Sequence, residues 1–134
     1  ELKGMAAAYN REIGVFSNVA VVCRPTKKEA EEYFHYYAVE NADLDAVEYM
    51  IEGRGLKKPG VSEEALHAAR LRAAGGNGAL PIIGDPDYVA ALMKRLSECE
   101  ISALAIGFTN YLNEFPYFRD EVLPRLASKG LRTS

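Results

Sequence analysis

An α/β fold with parallel strands is what this sequence predicts, on three observations. Two apolar runs, Val15 to Cys23 and Ile101 to Phe108, lack polar/apolar alternation, as strands covered on both faces do. Helical periodicity with clear start signals fills the stretches between and around them. The composition is ordinary for a globular domain, with 49% hydrophobic and 26% charged residues in 134. One domain fits that length.

The chain opens with Leu2, Met5, Ala6 and Tyr9 at helical spacing, and Gly14 interrupts the pattern. The first strand, Val15 to Cys23, ends at Arg24-Pro25. Thr26 then opens a helix through the capping box Thr-Lys-Lys-Glu, in which its hydroxyl takes the backbone N–H of Glu29. Tyr33, Phe34 and Tyr37 give that helix an aromatic stripe, read as packing, and the helical pattern continues to about Met50 with a break near Asn41. Glu52 to Gly60 is a glycine-rich loop. Ser62 caps the next helix, with Glu63 and Glu64 in its first turn, and the helix is expected to stop near Ala74. Ala74 to Pro81 reads as a loop and Leu80 to Ile83 as a short extended piece. Asp85 caps a further helix with Pro86 at its first position; Val89, Leu92, Met93 and Leu96 form its apolar face. After the second strand comes a last helix, with Phe115, Phe118, Val122 and Leu126 on one side and Pro124 expected to kink or end it.

A strand, a helical crossover and a parallel strand make a right-handed βαβ unit. Two parallel strands alone leave open edges and two apolar faces. The chain is therefore expected to be part of a larger fold, or to find its missing strands in another copy.

Net charge is −3 and the pI is near 5.5, so no basic field recommends nucleic acid or an anionic membrane as a partner. The longest apolar runs are far too short to span about 30 Å of hydrocarbon. Cys23 and Cys99 fit neither a zinc knuckle nor a CxxC pair. They read as buried or half-buried thiols of a reduced compartment, and a cytoplasmic location is expected.

Few residues look chemical. Gly75 to Gly78 lacks the strand-to-helix setting of a phosphate loop, and His35 and His67 lie on helices without catalytic partners. Two places stand out. Thr109, Asn110 and Tyr111 directly follow the second strand, and the carboxyl ends of parallel strands build the sites of α/β proteins. The glycine-rich loops are surrounded by Arg54, Lys57, Lys58, Arg70 and Arg72, a set that fits a lid closing over an anion.

The stretch Ile83 to Phe108 resembles the C-terminal signature of the bacterial luciferase-like, flavin-dependent monooxygenases. The carrying residues are Gly84, Asp85, Pro86, Val89 and Ala90, the strand Ile101 to Phe108, and then Val122, Leu123, Pro124 and Leu126. Upstream, Thr26, Glu29 and Ala30 resemble the helix start after the family's seventh strand.

The resemblance covers essentially the whole chain, residues 1–134, and implies the C-terminal part of a TIM (β/α)8 barrel, about strands seven and eight with their helices. Such barrels take about 250 residues or more. It implies reduced FMN as cofactor, or its deazaflavin relative F420, with O2 and a small organic substrate, a flavin reductase as partner and a homo-oligomer as assembly. Tyr111 and Thr109 are then the candidate catalytic residues, and Asn110 and Arg72 the candidate substrate-binding residues. No flavin-holding residue is assigned and no metal is expected. The alternative is a non-catalytic α/β association module or an inactive fragment.

Overall fold

The computed structural model describes residues 1–131. Its centre is a three-stranded parallel sheet of order β2-β1-β3, with β1 at Phe16–Cys23, β2 at Leu80–Gly84 and β3 at Ala103–Gly107. The extended piece at Leu80 is thus a full strand. It is short, and Pro81 lacks an N–H for a ladder, which an edge strand tolerates.

Register sets two faces. Val19, Val21 and Cys23 lie on one, with Ile82, Leu104 and Ile106 in step. Two helices cover this face, α5 (Pro86–Glu98) through Val89, Ala90 and Met93, and α6 (Tyr111–Ser128) through Phe118, Val122 and Leu126. Val89 and Val122 are completely buried there. The other face carries Phe16, Asn18 and Ala20 of β1 beside Ala103, Ala105 and Gly107 of β3. It is largely open, so β3 is half-buried rather than covered on both faces as its composition predicted. Small side chains on that face gave the apolar run without a covering layer.

Helix α1 (Leu2–Ala8) contributes nothing to this core: Leu2, Met5 and Tyr9 are all exposed. Helix α2 (Lys27–His35) is capped by Thr26 as expected and passes into a π-helical turn, Tyr36–Glu40, that ends at Asn41. Asp43 caps α3 (Leu44–Gly53), and Ser62 caps α4 (Glu63–Gly76). These two pack as a hairpin with a core of their own, Val47, Ile51, Ala69 and Ala73. Helix α4 runs past Ala74 to Gly76 and stops at Asn77, whose φ of 53° is the left-handed cap. The final helix continues through Pro116 and Pro124, so Pro124 does not end it. Cys23 is buried, and burial pushes its thiol up to about 12; Cys99 is exposed, not half-buried.

Gly76 lets α4 touch the sheet, because a Cβ there would overlap the methyl of Ala20. Helix propensity favours alanine over glycine by about 1 kcal/mol. The overlap wins, since the Ala20 methyl is fixed to the strand and cannot rotate away; overpacking costs about 1–3 kcal/mol. Gly76→Ala is expected to lower stability in a urea titration, whereas Gly53→Ala, with nothing within 4 Å of its Cβ, is expected to leave it unchanged or raise it. Equal effects at the two positions would refute this packing.

Candidate functional site

The open face of the sheet is the floor of a groove of about 840 Å³. Asn18, Ala20, Ala105 and Gly107 form that floor, the end of α4 and Asn77 to Ala79 stand on the β2 side, and Phe108, Thr109 and Tyr111 stand on the β3 side. Small residues on neighbouring pleats make a floor flat enough for a planar ring. The groove lies level with the carboxyl end of β3, since Gly107 pairs with Ala20.

Two tyrosines shape its walls. The π turn carries Tyr37 to the groove, where its hydroxyl donates to the Gly75 carbonyl at 3.0 Å. Thr109 lines the groove with it. Burial raises the Tyr37 pKa, so the phenol is neutral at neutral pH. Tyr111 donates to the Ile106 carbonyl at 3.1 Å, and its ring meets Phe108 edge to face at 5.4 Å. It does not pack under α6.

Of the residues read from the sequence, Thr109 and Tyr111 line the groove. Asn110 uses its side-chain oxygen to cap α6, accepting from Asn113 N–H at 3.2 Å. Arg72 is exposed on α4 and is not part of the groove lining, in which Arg54 is the cation. Arg54 donates to both the carbonyl and the side-chain oxygen of Asn77, which holds it at the rim. Two of the other loop cations, Lys57 and Arg70, have carboxylate partners. Arg70 and Lys57 grip Glu48 at 2.6 and 2.7 Å, and their hydrogen bonds, Arg70 first, hold the Glu48 carboxyl down at about 2.

Sequence reasoning missed the charge cluster beneath the Thr109 loop. Glu114 is only 5% exposed, accepts from Arg24 at 3.0 Å and accepts from the backbone N–H of Asn110 at 2.6 Å. Arg24 also donates to the Cys23 carbonyl and lies 4.0 Å over the Tyr33 ring. One carboxylate thus ties the end of β1 to the start of α6. No spacing signal marks a pair so far apart in the chain. No cluster of metal-ligating side chains occurs among the described residues.

No protein-family model and no curated protein matches the sequence. Solved structures do match. DmoA from Hyphomicrobium sulfonivorans superposes with a TM-score of 0.74 at 19% identity, over 99% of this chain and 34% of that one. The long-chain alkane monooxygenase LadA gives 0.66 at 21% identity, over 98% and 33%. Riboflavin lyase RcaE, solved with modified FMN and the substrate riboflavin, gives 0.66 at 18% identity, over 99% and 36%. The chain thus spans about a third of the length of each. The neighbours are luciferase-like flavin monooxygenases, the group the sequence resembles, and the likeness is one of fold.

Proposed function

We propose that this chain is the C-terminal part of a luciferase-like (β/α)8 barrel, residues 1–134 supplying about its last two barrel strands, in a monooxygenase that uses reduced flavin and O2 on a small organic substrate. One observation carries the reading: the groove over the open sheet face reaches the carboxyl end of β3, where parallel α/β folds keep their sites, in a chain that follows a third of the backbone of flavin enzymes. In this reading β1 and β3 are neighbouring barrel strands, and β2 follows the inserted α3–α4 hairpin onto the other edge of β1.

The residues present fit the ring of a flavin better than its phosphate. Ala105 and Gly107 leave room for the edge of a flat tricycle beside Ala20, whose methyl Gly76 covers, while Arg54, the cation of the lining, is already held by Asn77. Bound reduced flavin supplies the electrons that activate O2. This chain orients the ligand against the floor, excludes water with the end of α4, and offers hydroxyl groups at Thr109 and Tyr111. Asn110 holds the loop that carries them, and Arg72 belongs to the outer surface of the same hairpin. FMN is preferred to F420, a flavin reductase delivers it, and copies associate through exposed apolar side chains such as Leu2 and Met5.

Two measurements test this. The 134-residue chain alone is expected to hold FMN weakly or not at all in a fluorescence titration; tight stoichiometric binding refutes the assignment of the phosphate anchor to other strands. The complete reading frame is expected to encode preceding strand–helix units and to consume O2 in the presence of reduced FMN. A start codon within a few residues of Glu1 refutes the barrel reading and favours the association module.

Tyr111→Phe in that complete protein removes one ligand-facing oxygen and leaves the ring on Phe108. A roughly tenfold fall in kcat/KM with an unchanged melting temperature is expected, the scale of one hydrogen bond. Unchanged turnover sinks the assignment and leaves Thr109.

A further inference from the structure

Asparagine is depleted in strands, and the interior of a parallel barrel is filled by apolar, branched side chains. Asn18 is nevertheless the third residue of the central strand β1, on the groove face of the sheet, where it is exposed and lines the floor. It lies two residues on the amino side of Ala20, hence about 7 Å deeper than the level of Gly107. Its partner on β3 is Ala105, and Ala79 lines the groove on the β2 side, so small side chains on both flanks leave the space over the amide open. Asn41, Asn77 and Asn110 use their side-chain amides within the chain, on Tyr36 O, Arg54 and the Asn113 N–H. The Asn18 amide has no such partner among the described residues and faces the groove. It offers a carbonyl oxygen and an N–H side by side, and half a turn about its last bond only exchanges the two.

We propose that Asn18 is the polar contact at the floor of the groove and takes a ligand edge that carries an N–H and a carbonyl side by side: a cis-amide, an imide or a pyrimidine-type ring edge. The inference rests on the groove being the ligand site and deepens that reading by naming the chemistry at its floor. Two antiparallel hydrogen bonds pair such an edge with a primary amide. An anion or a bare hydrocarbon placed there leaves one or both groups of the amide unpaired, and enclosing an unpaired amide is unfavourable. A flavin ring presents this edge at its pyrimidine end, and a substrate amide or imide presents it too.

The test is a titration of the isotope-labelled 134-residue chain, followed through its backbone amide signals, with two matched pairs of probes: FMN and 3-methyl-FMN, glutarimide and N-methylglutarimide. Methylation removes the N–H and leaves the ring and its carbonyls in place. The N–H member of at least one pair is expected to move the signals of Asn18, Ala105 and Gly107 and to bind about fivefold or more tighter than its methylated partner, the scale of one hydrogen bond. That difference in the FMN pair assigns the edge to the flavin; in the glutarimide pair alone it assigns the edge to the substrate. In Asn18→Leu, which keeps the size of the side chain without its polar groups, the ratio is expected to fall towards one. Asn18→Ala is expected to do the same with the floor lowered. A general loss of structure weakens both members of a pair together and leaves their ratio alone.

Equal binding of both members of both pairs in the groove overturns the proposed contact and leaves the groove as a ligand site. A preference for the N–H member that survives in both variants overturns the role of Asn18, because the methyl group then clashes elsewhere. No movement of groove signals with any probe overturns the contact and the groove reading together.

Discussion

Replacing Glu114 by alanine is expected to cost about 3 kcal/mol, the largest loss of stability from any single side chain at the strand ends. Removing one partner of a buried ion pair costs about 3–5 kcal/mol, because the other is left desolvated and unpaired. Arg24 is 24% exposed on its side chain and keeps its stack on Tyr33, which favours the lower end of that range. The Asn110 N–H loses its acceptor as well. For a chain of this size that corresponds to a melting temperature lower by about 10 °C. Glu114→Gln keeps the shape and one acceptor oxygen, so roughly half that loss is expected. A melting temperature within about 2 °C of wild type for Glu114→Ala would mean that Arg24 turns to solvent and that the pair does not tie β1 to α6.

That pair also shows where sequence reading stops. Thr26, Ser62 and Asp85 were legible as helix caps because a cap is local: the hydroxyl or carboxylate meets a backbone N–H three residues on, as it does at Glu29, Ala65 and Tyr88. Arg24 and Glu114 meet across the sheet, and nothing in either neighbourhood announces the other. The third strand was hidden for a related reason. Leu80–Gly84 has a proline and a glycine within five residues, and its pairing with β1, not its own propensity, makes it a strand. Conversely, Ile101 to Phe108 looked doubly covered because alanine and glycine are counted as apolar; on the open face they are a floor. Within the site, Thr109 and Tyr111 were legible from their place after a strand. Tyr37 was read as packing, since a regular helix does not announce the π turn that carries it to the groove. Arg54 and Arg72 were indistinguishable cations until the hairpin put one at the rim and the other outside.

Placing a large ring on the floor of the groove is expected to weaken flavin binding strongly while leaving the fold of this chain alone. Ala105 lies in the middle of β3, faces the groove beside Asn18 and is exposed, so Ala105→Trp displaces no core residue of this chain. The strand tolerates tryptophan well, as a large flat side chain on a pleated surface. A ligand lying on the Ala105–Gly107 floor then has to give up that contact or move off the sheet. The 134-residue chain is expected to keep its melting temperature within about 2 °C of wild type, and in the complete protein the affinity for FMN is expected to fall at least about 100-fold, or about 2.7 kcal/mol. Ala91→Trp is the matched control: it is an exposed position on α5, the helix that covers the opposite face, and it is expected to change neither quantity. Retained FMN affinity in Ala105→Trp would move the flavin off this sheet face altogether. Because the same substitution leaves Tyr37 and Tyr111 with their hydrogen bonds, such a result would count against the ring's position and not against the walls that surround it.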